Sequence, residues 1–231
     1  MLSVDALSSS HGEPRKSCER QPIPTSASRR TSCQPVECNN HGQFSNSAVF
    51  QWRFRMDFSF EQPKLPRISR RLLDALGLGQ FNAARAQFWP NGGPQWDGLA
   101  KVKNQQQTGY VLVEAKAHPG ETHSTTQASK ESLKKINGSL KVTQMHLQIP
   151  QKKWTENYYQ TANRLAFLYF MNVQLDLPTW LAFINFTDDQ SHIPTDLQTF
   201  VTHYQELYSE MGLHQAKQLM DRVITVFTPA I

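Results

Sequence analysis

The stretch YVLVEAKA, residues 110–117, decides how this chain is read. Strand alternation puts Leu112, Glu114 and Lys116 on one face and Val111, Val113 and Ala115 on the other. Two opposite charges thus project side by side from an apolar strand, where a buried ion is costly unless it is paired or bound to a metal. Taken alone, Glu-x-Lys is a common tripeptide, and a structural ion pair at a strand end is the better explanation of it.

The residues before it add weight. QWDGLAKV, residues 95–102, follows the turn-forming Asn91, Gly92, Gly93 and Pro94 and has the look of a strand. The polar turn at 104–108 folds it back on 110–117 as a β-hairpin, which brings Asp97 and Glu114 to one site. Two nearby carboxylates repel and take up a proton unless a cation with a preference for oxygen lies between them, and Mg2+ or Mn2+ is the natural occupant. Such a cation polarises a phosphodiester oxygen and acidifies a bound water, while the ammonium of Lys116 orients the nucleophile or stabilises the developing charge.

Outward from the hairpin, Ile68, Leu72, Leu73, Leu76 and Leu78 recur at helical spacing after Pro66, with Gly77 and Gly79 as a stop. The polar stretch 124–147 carries Ile136, Leu140 and Met145 at loose helical spacing, interrupted by Gly138. Residues 154–173 form the clearest helix, with Tyr158, Ala162, Leu165, Ala166, Tyr169 and Val173 on an apolar stripe; its aromatics read as core and not as a base-stacking platform. TWLAFINF at 179–186 is of strand length, Thr195 and Gln198 make a capping box for a helix to Met211 closed by Gly212, and VITVF at 223–227 is a last strand. The order read along the chain is α-β-β-β-α-β-α-β, an α/β layered domain with a mixed central sheet flanked by helices over residues 66–231.

Residues 1–55 are rich in Ser, Pro, Asn, Gln and Arg and are expected to be a disordered low-complexity segment. They carry seven Lys/Arg against four Asp/Glu, which leaves 17 and 15 for the rest, so most of the chain's +5 sits in this segment. The remainder, at +2, gives little electrostatic argument for a polyanion partner. Cys18, Cys33 and Cys38 all lie there too, which excludes a disulfide framework for the domain; a zinc site with His11 or His41 lacks a C-x-x-C pair. The opening MLSVDALSSS has no cationic start and no long apolar run, and the longest apolar run, LAFLYF at 165–170, is far short of a bilayer. No membrane association and a cytoplasmic location are expected.

GPQWDGLA (93–100) followed by VLVEAKAH (111–118) resembles the PD-(D/E)xK motif of restriction-endonuclease-like nucleases. The chain is also similar to uncharacterised bacterial proteins in which PQWD, EAKAH and a later YQxANRLAxLYF occur together, matched here by YQTANRLAFLYF at 159–170. The resemblance implies a restriction-endonuclease-like core, Asp97 and Glu114 as ligands of Mg2+ or Mn2+, Lys116 as the catalytic lysine, and DNA or RNA as substrate. The family's Pro-Asp is replaced by Pro94-Gln95-Trp96-Asp97, and Asp74 is the one acidic candidate on the first helix. Gln160 and Arg164, one turn apart, either reach the substrate or cap polar groups of the core; His118 and Glu121 are supporting or substrate-contacting candidates. The alternative is a binding module for nucleic acid or protein that keeps the fold without catalysis.

Overall fold

The computed structural model describes residues 72–91, 93–103, 107–191 and 193–230. The segment 1–55, with its three cysteines, and the start of the first helix lie outside the described residues.

Four strands form one mixed sheet in the order β1 (Gly98–Lys103), β2 (Thr108–Lys116), β3 (Thr179–Thr187) and β4 (Val223–Pro229). β1 and β2 are the expected antiparallel hairpin, in register from Gly98↔Val113 to Lys103↔Thr108. β2, β3 and β4 run parallel, from Tyr110↔Thr179 to Lys116↔Asn185 and from Leu181↔Val223 to Thr187↔Pro229. Parallel neighbours need helical crossovers. These are α3 (Lys130–Leu147) with α4 (Tyr159–Tyr169) between β2 and β3, and α5 (Leu197–Met211) between β3 and β4. Before the sheet come a single turn, α1 (Leu72–Ala75), and α2 (Asn82–Phe88).

Several element readings are corrected. The element order counts one strand too many, since two strands and not three precede the helices; the polar stretch 124–147 holds a helix, as its spacing suggests, α3, with 18 residues and a Ser129 cap whose hydroxyl accepts from Ser132 N. α2 was not anticipated, because NAARAQF favours helix by propensity but carries no apolar period. The aromatic helix begins at Tyr159 and not at residue 154: Trp154 turns away to donate its indole N–H to Met211 O, and Ser124 Oγ accepts from Gln160 N in the first turn. It ends in a wide turn, Phe170–Gln174, where Asn172 bonds Leu168 O and both N and O of Thr179. α5 is capped by Asp196, which accepts from Thr199 N at 2.7 Å, in place of the Thr195 and Gln198 box; Gly212 closes it in the left-handed region as expected.

The core lies between the sheet and these helices. Leu112, Leu181, Phe183 and Phe227 face Leu165, Phe167, Phe200, Tyr204 and Leu207, all buried, and Phe88 of α2 stacks on Phe170 at 5.0 Å. The aromatics of α4 are core, as read. On the other face, Val111, Val113, Trp180, Ile184, Phe186 and Val226 take no part in this cluster, so the described helices gather on one side of the sheet. Among the described residues no helix is long and apolar enough to cross a membrane.

Gly138 is the weak point of α3, since an interior glycine costs about 0.5–1 kcal/mol relative to alanine. A Cβ at this position would meet nothing within 4 Å. Gly138→Ala is therefore expected to raise stability by about 0.5–1 kcal/mol in urea denaturation; a loss of stability would show that the helix needs the glycine.

Candidate active site

Glu114 and Lys116 fall on the covered face of β2, at 1% and 7% exposure. A carboxylate in such a place needs partners, and Glu114 has two cations. Lys116 Nζ donates to its Oε1, while Arg164 of α4 donates from Nε to Oε2 at 2.6 Å, with Nη2 2.5 Å from the same oxygen.

Arg164, at 3% exposure, is held on every side. Nη1 donates to Asn163 Oδ1 at 2.7 Å, Nη2 donates to the carbonyl of Gln95, and the guanidinium lies 4.6 Å over the ring of Trp96. Burial draws its pKa down, and the carboxylates of Glu114 and Asp97 oppose this. Of the two readings open for this arginine, the geometry favours the supporting one: its donors are spent inside the protein.

Asp97 stands one residue before β1 and is exposed. Its N–H donates to Val113 O at 3.1 Å, so continuing the register beyond Gly98↔Val113 sets it across from Glu114. Its Oδ2 accepts from Ala115 N at 2.7 Å, which seats the carboxylate on the peptide between Glu114 and Lys116. The hairpin and α4 thus gather Asp97, Glu114, Lys116 and Arg164 at one place, with formal charges that sum to zero.

Beyond Lys116 the chain stays extended through His118 and turns at Pro119–Thr122. Glu121 Oε2 accepts from Ala117 N at 2.8 Å, closing the end of β2, and His118 Nε2 is 3.9 Å from Glu121 Oε1. Gln160 is half-buried in the first turn of α4, four residues before Arg164 and on the same helix face. Asp74 is spent elsewhere, accepting from Asn82 Nδ2 at 2.9 Å.

Two contributors were not singled out in the sequence. Trp96 forms the platform under Arg164. Asn185, opposite Lys116 on β3 and fully buried, donates to Val226 O at 3.1 Å and accepts from Tyr204 OH at 2.9 Å. An asparagine inside the apolar run TWLAFINF was the available signal.

Among the described residues no group of three or more His, Cys, Asp or Glu side chains converges as a ready ligand set. The oxygen donors this site offers are the carboxylates of Asp97 and Glu114. That set fits Mg2+ or Mn2+ better than a zinc-like ion, because Mg2+ commonly binds through one or two carboxylates, several waters and substrate phosphates. No family model, curated protein or solved structure matches the chain.

The turn carrying His118 and Glu121 is pinned to α5 by Thr122 Oγ1 and His203 Nε2, 2.7 Å apart. Burial, and then the neighbouring His123, hold the His203 pKa below the ordinary imidazole value, with Glu206 pulling the other way. Tyr158 also packs against both rings. A depressed histidine takes its proton first in the unfolded chain, so its contribution to stability is present above about pH 6.5 and is lost as pH falls below that. Urea midpoints are expected to drop between about pH 7 and 5, and His203→Gln to flatten the decline. An unchanged slope in that variant would remove His203 as the cause; the pKa of His146, also lowered by burial, adds a share of the same sign.

Proposed function

We propose that this protein is a metal-dependent phosphodiester hydrolase acting on DNA or RNA, built on the PD-(D/E)xK plan. The observation that carries the reading is the seating of the Asp97 carboxylate on Ala115 N, between the buried Glu114 and Lys116 of the same strand. A cation-binding pair of acids and an adjacent amine at one strand end is the apparatus that phosphodiester hydrolysis needs.

Asp97 and Glu114 would hold Mg2+ or Mn2+, with the carbonyl of Ala115 as a third oxygen. The bound ion would polarise the phosphodiester and acidify a water. Lys116 supplies a positive charge at the oxygens of the phosphoryl group, where charge builds up in the transition state. Arg164 fixes the carboxylate of Glu114, and its bond to Gln95 O ties the segment that carries Asp97 to the same anchor. His118, Glu121 and Gln160 would contact the substrate or support the site near the end of β2. A nucleic-acid substrate, and the cytoplasm as its setting, go with this reading.

Incubation with plasmid and with single-stranded DNA or RNA in Mg2+ or Mn2+ tests it. Cleavage that stops on chelation is the expected result; intact substrate in every arm would reject the activity.

One observation favours a second reading. Both oxygens of Glu114 already have cationic partners, the arrangement of a charge-satisfied structural triad. In that case the protein is a binding module that keeps the fold without turnover, and it would bind nucleic acid or a protein with no dependence on divalent cations.

A further inference from the structure

The two cations on Glu114 are held very differently. Arg164 has Glu114, Asn163, the Gln95 carbonyl and the Trp96 ring as partners and is 3% exposed. Among the described residues, Lys116 Nζ has Glu114 Oε1 as its hydrogen-bond partner and no other. The lysine stem is flexible and its ammonium a compact point charge, whereas the guanidinium is a rigid fork matched to its acceptors. One counter-ion is built in and the other is exchangeable.

We infer that Lys116 is the resident counter-ion of the metal site: a divalent cation enters by displacing its ammonium from Glu114 Oε1, while Arg164 keeps Oε2 throughout. This rests on the nuclease reading and adds an order of events to it. With Asp97, Glu114, Lys116 and Arg164 summing to zero, the protein alone has little electrostatic pull on a free divalent cation. Once the ion is seated the site carries +2, and the released ammonium lies beside it. That combination attracts a phosphodiester, whose negative charge lowers the cost of holding ion and ammonium together. Metal and polyanion would therefore load cooperatively, each tightening the other by the same factor. The ammonium arrives at the substrate because the metal has evicted it.

Such an exchange has an uncommon consequence for a catalytic lysine: removing it improves metal binding. Titration of Mn2+ into wild type and into Lys116→Met, followed by calorimetry, is expected to give a dissociation constant roughly tenfold or more tighter for the variant, since a positive charge a few ångström from the ion has been taken away. A second measurement needs no variant. Reductive methylation of wild type, read by mass spectrometry, is expected to modify Lys116 slowly in metal-free buffer and several-fold faster at saturating Mg2+.

Equal or weaker Mn2+ binding by a folded Lys116→Met protein overturns the exchange and leaves the metal-dependent reading standing. Unchanged labelling of Lys116 at saturating Mg2+ does the same. Absence of Mn2+ binding to both proteins up to about 10 mM, beyond the affinity range of protein oxygen sites, overturns the exchange together with the metal reading on which it rests.

Discussion

Lys116→Ala is expected to lower metal-dependent cleavage by about 10²–10³-fold or more while leaving the protein folded, because one preorganised positive charge at a phosphoryl transition state has that order of effect. The fold survives because Glu114 keeps the buried guanidinium of Arg164 on Oε2. Asp97→Asn is the companion variant. Asp97 is exposed, so its replacement alters the ligand charge with little change in core packing. Parallel loss of activity in both, with each protein still folded by circular dichroism, separates chemistry from unfolding. Full activity in either variant would take that residue out of the mechanism.

The second large effect falls on folding. Arg164→Met is expected to cost roughly 3–5 kcal/mol, the usual penalty for leaving a buried charge short of its partner. At 3% and 1% exposure the pair is far enough from water that screening gives little relief. The variant would also strip Gln95 O of its donor and Trp96 of the cation above its ring. Arg164→Lys is expected to recover a minor part, since an ammonium cannot reproduce the fork that spans Glu114, Gln95 and Asn163. Replacing all three charges, Glu114→Leu with Arg164→Met and Lys116→Met, should restore most of the loss, because an apolar group of similar volume avoids the desolvation and leaves no buried ammonium without its carboxylate. A single-variant loss below about 1 kcal/mol, measured by urea denaturation, would mean that Glu114 is not charged or not buried as described.

These two variants also mark what the sequence disclosed. The alternation of YVLVEAKA and the short polar turn before it were enough to place Glu114 and Lys116 on one face and Asp97 opposite, because strand period and hairpin register are local properties. The stop at Gly212 was legible for the same reason. The partner of Glu114, by contrast, sits 50 residues away on α4. Nothing near Arg164 in sequence says whether its guanidinium turns to solvent or into the core. Asn185 was hidden in the same way: its bonds to Val226 and Tyr204 exist only after β4 and α5 have packed. The errors over α2 and over the Asp196 cap have a common origin. Short polar segments carry weak periodic signal, and tertiary contacts choose among nearly equal local options.

The claim beneath the functional reading is that Asp97 and Glu114 share one divalent cation at the end of β2. Diffraction from a crystal soaked in Mn2+, collected for anomalous signal, tests it most directly. A peak is expected at about 2.1–2.3 Å from a carboxylate oxygen of each, with Arg164 still on Glu114 Oε2 and the ammonium of Lys116 withdrawn from Oε1. A map with no peak between those two carboxylates at saturating Mn2+, and with Lys116 still paired to Glu114, would contradict it.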